Sequence, residues 1–451
     1  MRRWLALAVA LLTYAIGITY AKSATGDSVL VVLEKDLDKK QFSKFFAGLE
    51  ERGFKLTFRE PKAKAPLVIE DDVPQFSHVV FFTPTTKSFA PDLTPQNIVS
   101  LLSSGVNMLF TLSPTQTPLT ALASEFSLIP TPPNTPLISH FSARDGDGPH
   151  TDIRVSVPQD HPVLSPGIPP VLFEGVPHAY ALNPLLVPIL RAPPEAFASD
   201  SENDSGSDSI VDAAEKGGEG LWAGSQLGLV TGFQTRDGNG RAVWAGSISL
   251  FSDDSAKKEG YGNLRFVQDV AKWVFQETNV LRIEGALHRH ADANETDVFP
   301  ERYKINDQVR YVVYISKWNP DTGEWELYSG LSDLQLEFTM LDPHIRTALP
   351  ADKCISGRCS GAYSASFRAP DRHGVFKFVL DYKRRGWTFL HSAITVPVIP
   401  PRHDQYPRFL SAAWPYYAGT ISTSAGFVLF ATLWLVGGGV EREVKKGKKT
   451  E

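Results

Sequence analysis

Apolar and polar positions change their period twice along this chain. SVLVVLE (28–34) is a continuous apolar run, as in a strand buried on both faces. In DKKQFSKFFAGLEERG (38–53), Phe42, Phe45, Phe46 and Leu49 recur at helical spacing and Gly53 marks the stop. FKLTFRE (54–60) alternates like a strand, and HVVFFTP (78–84) is a second buried run. Thr94 and Pro95 then read as the cap and first-turn residue of a helix that turns Ile98, Leu101 and Leu102 inward. VNMLFTLS (106–113) is a further strand and PLTALASEFSLI (118–129) a third helix. Strand–helix alternation of this kind predicts a parallel sheet covered on both faces, an α/β domain of amidotransferase-like or flavodoxin-like type.

The stretch 130–194 is rich in proline and holds short strands such as IRVSV (153–157) and LLVPILR (185–191). Residues 199–220, SDSENDSGSDSIVDAAEKGGEG, are acidic and glycine-rich; they cannot bury enough apolar surface to fold alone and read as a flexible surface insertion. LGLVTGFQTRDGNGRAVWAGSISLFS (227–252) predicts two strands joined at a turn over 237–240, and 264–275 an amphipathic helix carrying Phe266, Val270, Trp273 and Val274. The α/β domain therefore spans 26–280.

Beyond it the period becomes two. RYVVYIS (310–316), WELYS (325–329), LQLEFTML (334–341), AYSASFRA (362–369), GVFKFVLDY (374–382) and TFLHSAITVPV (388–398) are strand-like, with turns at 319–323 and 370–374. Closely spaced strands without helices predict a β-sandwich over 281–401. Residues 402–413 form a neck.

The two ends carry the longest apolar segments. Residues 409–440 contain no charged residue or histidine, and a bilayer core needs about 20 apolar residues in a helix. The span is placed at 414–437, with Trp414, Tyr416 and Tyr417 at the headgroup level and Trp434 near the other end. At the start, Arg2 and Arg3 precede an apolar run from Trp4 to Ile18, followed by small residues at Ala21 and Ala24. That is the layout of a secretory signal peptide over 1–24, with cleavage near Ala21–Ala24 and a mature chain starting near Gly26. The lumenal part is then delivered across the membrane and the last helix stops transfer, leaving a cytosolic tail, 438–451. Its Arg442, Lys445, Lys446, Lys448 and Lys449 fit the positive-inside rule. Lys448 and Lys449 are the fourth and third residues counted from the end, the spacing of a dilysine retrieval signal of endoplasmic reticulum membrane proteins. A plain positive-inside tail is the other reading.

Composition adds limits. The net charge of −5 is mild, and no basic patch interleaved with aromatics points to nucleic acid. The two cysteines, Cys354 and Cys359, face an oxidising lumen and predict a disulfide, worth about 2 kcal/mol for so short a loop; two free thiols are the alternative. Two thiols do not complete a zinc shell. Asn203 and Asn294 head glycosylation sequons, Asn-Asp-Ser and Asn-Glu-Thr. Ala418, Ser422 and Gly426 make a small-residue stripe at i, i+4 and i+8 that admits a second helix.

Candidate enzyme chemistry is thin. No cysteine precedes Cys354, no G-x-S-x-G elbow occurs, and neither a dinucleotide nor a phosphate loop is present. His288 and His290 in LHRHAD are spaced as a metal pair but read as solvated loop histidines. Ser252, Asp253 and Asp254 read as turn caps rather than a cation site.

LFSD (250–253), KWVFQETNVLRI (272–283), LQLEFTMLDPHIR (334–346), APDRHGVFKFVLDYKRRGWT (369–388) and HDQYPRFLSAAWPYY (403–417) together resemble one family. It is the 48 kDa subunit of the dolichyl-diphosphooligosaccharide–protein glycosyltransferase, or oligosaccharyltransferase. The resemblance runs from VLVVLEKD (29–36) to the tail, with the insertion at 199–220 unmatched. It implies an accessory, non-catalytic subunit of the complex that transfers a preassembled glycan from dolichyl diphosphate to sequon asparagines. It also implies partners: a multi-spanning catalytic subunit that holds the divalent metal, a ribophorin-II-like subunit and a small subunit related to defender against cell death. No cofactor is expected in this chain. The rivals are a lumenal hydrolase and a lumenal glycan-binding or cargo receptor.

Overall fold

The computed structural model describes residues 22–141, 150–198, 222–236, 239–292, 299–341, 344–352, 361–406 and 410–446. Strands β1 (Ser28–Leu33), β2 (Lys55–Arg59), β3 (His78–Phe82) and β4 (Asn107–Thr111) alternate with helices α1 (Ser43–Glu51), α2 (Pro95–Ser103) and α3 (Pro118–Glu125). β5 (Leu128–Pro130), β6 (His178–Tyr180), β7 (Leu186–Arg191), β8 (Gly228–Gln234) and β9 (Arg241–Ala245) complete a nine-stranded sheet. Its order is β2-β1-β3-β4-β9-β8-β6-β5, with β7 also paired to β8.

The first five strands in that order are parallel, as the alternation predicts. From β8 onward the pairing is antiparallel, which the sequence does not show for β5, β6 and β7. The reason is the connection: a parallel neighbour needs a long crossover, whereas β8 and β9 are joined by a short turn. α3 also stops earlier than its periodicity suggests. Ser127 takes a left-handed conformation, φ +66°, and the chain turns into β5 against β6. Thr94 and Thr117 cap α2 and α3 as side-chain acceptors, each followed by proline at the first helical position.

Alternate strand residues feed two cores. Val29, Val31, Val80 and Phe82 pack under α1 and helix α5 (Asn263–Val274), against Phe45, Leu49, Phe266 and Val270. Leu30, Val32, Phe81 and Phe110 pack under α2 and α3, against Ile98, Leu101 and Leu122. Each fully buried side chain of this size contributes about 1.5–3 kcal/mol relative to exposure.

The sandwich has a four-stranded sheet: β10 (Leu281–His290), β12 (Gln308–Asn319), β13 (Glu324–Leu327) and β16 (Ala362–Arg368). It faces a five-stranded sheet: β11 (Tyr303–Lys304), β14 (Gln335–Thr339), β15 (His344–Ala348), β17 (Gly374–Tyr382) and β18 (Leu390–Ile399). Tyr311, Val313, Phe338, Phe376 and Phe378 fill the space between them. β10 is a strand that the period reading passes over. Its register to β12 slips between Ile283 and Gly285, so its inward positions change parity partway along.

The domains meet at a buried cation. Arg241 opens β9 and is fully buried. Its guanidinium donates to the carbonyls of Trp273 (2.7 Å), Thr278 (2.9 Å) and Asn279 (2.9 Å) and to Thr388 Oγ1 (3.0 Å). It also lies 5.0 Å from the Trp273 ring centroid. Trp273 belongs to the last turn of α5, whose free carbonyls and dipole favour a cation there. The Trp273 indole N–H donates to the Gly386 carbonyl in the sandwich (2.9 Å), and its six-membered ring rests on Gly232, where a Cβ would stand 2.6 Å from it. Gly386 has φ +82° and a Cβ there would meet Pro162 at 2.8 Å, so this loop requires glycine.

Arg241→Met should therefore take the guanidinium from three carbonyls, of which Trp273 keeps Gln276 N (3.2 Å) and Asn279 keeps Thr388 N (3.1 Å), and cost about 3 kcal/mol. Thermal unfolding of the full chain in mild detergent should show a Tm several degrees lower, and Arg241→Lys should recover little of it. A wild-type Tm for Arg241→Met would contradict the role assigned to the guanidinium.

Candidate functional site

In open α/β sheets, ligands bind outside the carboxyl ends of the strands at the switch point of strand order. Here that point lies between β1 and β3, and a crevice of about 380 Å³ opens there, lined by residues that follow β1, β2 and β3. Glu34 is not free in it: its carboxylate accepts from Thr85 N (3.1 Å), Thr85 Oγ1 (2.6 Å) and Thr86 Oγ1 (3.0 Å) and so pins the β3 loop. Lys35, Lys62 and Lys87 face Asp36 and Glu60, and no cysteine, histidine or serine lines the crevice.

The buried polar groups elsewhere serve structure. His78 is fully buried beside Gly26 O (3.0 Å) and Asn107 Nδ2 (3.2 Å). Burial pushes its pKa down to about 4. His178 bonds Thr231 Oγ1 (2.7 Å), and burial pushes it down to about 3. Arg52 and Glu277 pair at 3.4 Å under α5; burial raises the Glu277 carboxyl while Arg52 opposes the rise. His288 is not a loop residue. It lies in β10, buried, with Nδ1 2.9 Å from the Tyr303 hydroxyl, and both it and His290 pack on the Tyr303 ring. Among the described residues no group of three His, Cys, Asp or Glu is placed to hold a metal. Ser252 caps the short helix α4 (Asp253–Lys257), and Asp253 accepts from Ser43 Oγ and from Lys44 N (2.8 Å), tying α4 to α1. Cys354, Cys359, Asn203, Asn294, Lys448 and Lys449 lie outside the described residues, as do 1–21 and the insertion at 199–220.

The C-terminal helix α6 runs from Leu410 to Lys446. Its segment Ser411–Gly437 has a mean hydropathy of 1.6 and none of it is buried against the rest of the chain. That makes it long and apolar enough to cross a bilayer. Trp414, Tyr416 and Tyr417 are exposed near its start. Ala418, Ser422 and Gly426 share one face and are exposed, and no element among the described residues covers them; a Cβ at Gly426 would meet nothing within 4 Å. The hydroxyls of Thr420, Ser422, Thr423 and Thr432 all bond carbonyls of their own helix, so the surface offers lipid few unmet polar groups. The functional side chain that periodicity does not single out is Arg241. Its one signal is a lone arginine heading the otherwise apolar run RAVWA.

Fold and site thus define a two-domain protein, α/β and β-sandwich, with a C-terminal helix fit for a membrane and polar clusters that brace the structure. The chain belongs to the OST48 family: the model of the OST48 N-terminal domain matches residues 20–277 and that of the OST48 middle domain residues 288–438. Relatives named dolichyl-diphosphooligosaccharide–protein glycosyltransferase 48 kDa subunit include one from Arabidopsis thaliana, 31% identical over 91% of this chain and 93% of its own length. Another, from Drosophila melanogaster, is 31% identical over 99% of this chain and 100% of its own. Among solved structures, a ThuA-like protein from Parabacteroides merdae aligns over 55% of this chain and 89% of that one at 14% identity and a TM-score of 0.28, too low to carry any argument.

Both buried histidines should make the fold sensitive to acid. The unfolded chain protonates them near pH 6.5, whereas the folded chain holds His78 neutral down to about 4 and His178 to about 3. Between these values the unfolded state binds more protons, so stability is full above pH 6.5 and falls as the pH drops towards 4. His78 alone accounts for about 3 kcal/mol of that loss. Denaturation of His78→Gln measured across this range should give a shallower slope than wild type; equal slopes would remove His78 from the account.

Proposed function

We propose that this chain is an accessory, non-catalytic subunit of the endoplasmic reticulum oligosaccharyltransferase, the complex that transfers a preassembled glycan from dolichyl diphosphate to asparagine in N-x-S/T sequons. The observation that carries this reading is family membership along both domains and the C-terminal helix, at 31% identity with relatives of that name. The uncovered face of α6 supports the role of a subunit in a membrane complex. Chemistry and metal then belong to a multi-spanning catalytic partner, with a ribophorin-II-like subunit and a small defender-against-cell-death-like subunit alongside.

In this reading a signal peptide is removed, the two domains face the lumen, α6 spans the membrane once and Lys448–Lys449 form a retrieval address in the cytosol. Cys354 and Cys359 pair in the lumen, and Asn203 and Asn294 are acceptors for the complex's own product. The Ala418–Ser422–Gly426 face packs against a partner helix, because lipid tails give no hydrophobic drive between helices and close backbone approach must supply the contact.

Extraction in mild detergent should recover the chain with a multi-spanning glycosyltransferase subunit; recovery of this chain alone would sink the proposal. Within that experiment Gly426→Leu should still insert, since leucine is favourable at the membrane centre, but should lower recovery of the catalytic partner and leave many secretory proteins underglycosylated. Full recovery with Gly426→Leu, combined with loss from leucine placed on another face, would assign the contact elsewhere.

A further inference from the structure

The first described residues are built into the fold rather than trailing from it. Ser23 is buried, 6% exposed, with its hydroxyl 3.3 Å from His78 Nε2. Ala24 N donates to the Gln276 carbonyl (3.1 Å), and Asn107 Nδ2 donates to Thr25 Oγ1 (3.0 Å). Gln276 Nε2 in turn donates to Asn107 Oδ1 (2.8 Å), so the segment closes a buried amide–imidazole network under the amino ends of β3 and β4. One residue earlier the chain crosses to the other domain. The Trp318 indole N–H, from β12 of the sandwich, donates to the Lys22 carbonyl (2.8 Å), and Lys22 Nζ lies 3.8 Å from Asp321. Lys22 N donates back to the Arg52 carbonyl of the α/β domain (3.4 Å).

This geometry discriminates between the processing sites that the leader offers. Cleavage requires small residues at the last and third-last positions of the leader. A cut after Ala21 places Thr19 and Ala21 there, and a cut after Ser23 places Ala21 and Ser23. A cut after Ala24 places the charged Lys22 at the third-last position. Removal of Lys22 and Ser23 would take away the acceptor of Trp318 and leave His78 facing an emptied buried space. Removal of residues up to Thr25 would also strip a partner from Asn107. A cut after Ala21 keeps every one of these contacts; cuts after Gly17 or Thr19 would keep them too, but fall within or directly against the apolar run that ends at Ile18.

We propose that the leader is hydrolysed at the Ala21–Lys22 bond, and that the freed terminus, residues 22–26, is a strap that holds the α/β domain to the sandwich. Water adds across the amide: Ala21 leaves as a carboxylate and the Lys22 nitrogen becomes an ammonium, with no cofactor consumed. The new ammonium keeps the Arg52 carbonyl as its acceptor. The mature chain thus starts four residues before Gly26, the start that the leader pattern alone suggests.

The test uses the full chain purified from membranes in mild detergent. Its primary amines are dimethylated before digestion after glutamate, and the amino-terminal peptide is identified by mass. The expected peptide is 22–34, labelled on its α-nitrogen. A peptide beginning at 24 or later overturns the strap, and one beginning between 2 and 21 overturns the Ala21–Lys22 cut, both leaving the secretory reading intact; a chain that retains Met1 overturns all of it. A second measurement reads docking itself. Trp318→Phe keeps a ring but loses the N–H donor, and an added aminopeptidase should trim Lys22 from it at least tenfold faster than from wild type. Equal trimming rates would show that Trp318 does not hold the terminus.

Discussion

Arg241 carries a full charge into the centre of the molecule and meets no carboxylate there. Burial lowers its pKa to about 9, which still leaves it charged at neutral pH. A lone buried ion is tolerated only when its hydrogen bonds are met. Here the two terminal nitrogens are met by the carboxyl end of α5, by the linker at Thr278 and Asn279, and by Thr388 of the sandwich, while Nε is buried without a hydrogen-bond partner. The guanidinium therefore couples three things that could otherwise move apart: the sheet, the helix that covers it and the second domain. Trp273, which stacks near the same cation and reaches Gly386, extends the junction, and Thr388 N returns a bond to the Asn279 carbonyl (3.1 Å).

The strand-end crevice, where an α/β enzyme would keep its reacting groups, is occupied by a pinned loop and by opposed charges. Among the deeply buried polar side chains, His78, Asn107 and Gln276 bond one another and the backbone, and His178 bonds Thr231. By contrast α6 is apolar and uncovered along the whole of Ser411–Gly437. The large unpartnered apolar surface among the described residues therefore lies on α6.

Much of this was legible from the order of residues, for physical reasons. Parallel strands buried on both faces are continuous apolar runs, so β1, β3 and β4 stand out, and Thr94–Pro95 announces α2 through its missing amide donors. β14, β16 and β17 alternate because only one face of each meets the sandwich core. What was not legible depends on distant partners. β5 looks like the end of α3 until β6 pairs with it, and β10 loses its alternation at the slip between Ile283 and Gly285, which made His288 look like a loop residue. Arg241 was invisible as a junction because its acceptors come from residues 32 to 147 positions away. No periodicity reports such contacts. The stripe on α6 was legible as a pattern, since Ala418, Ser422 and Gly426 need only helical spacing.

If the junction welds the two domains, they should not unfold separately. Calorimetry of the wild-type full chain in mild detergent, at neutral pH, tests this most directly. The account predicts one cooperative transition in which the α/β domain and the sandwich lose structure together. Two resolved transitions, with the sandwich melting while the α/β domain stays folded, would contradict it.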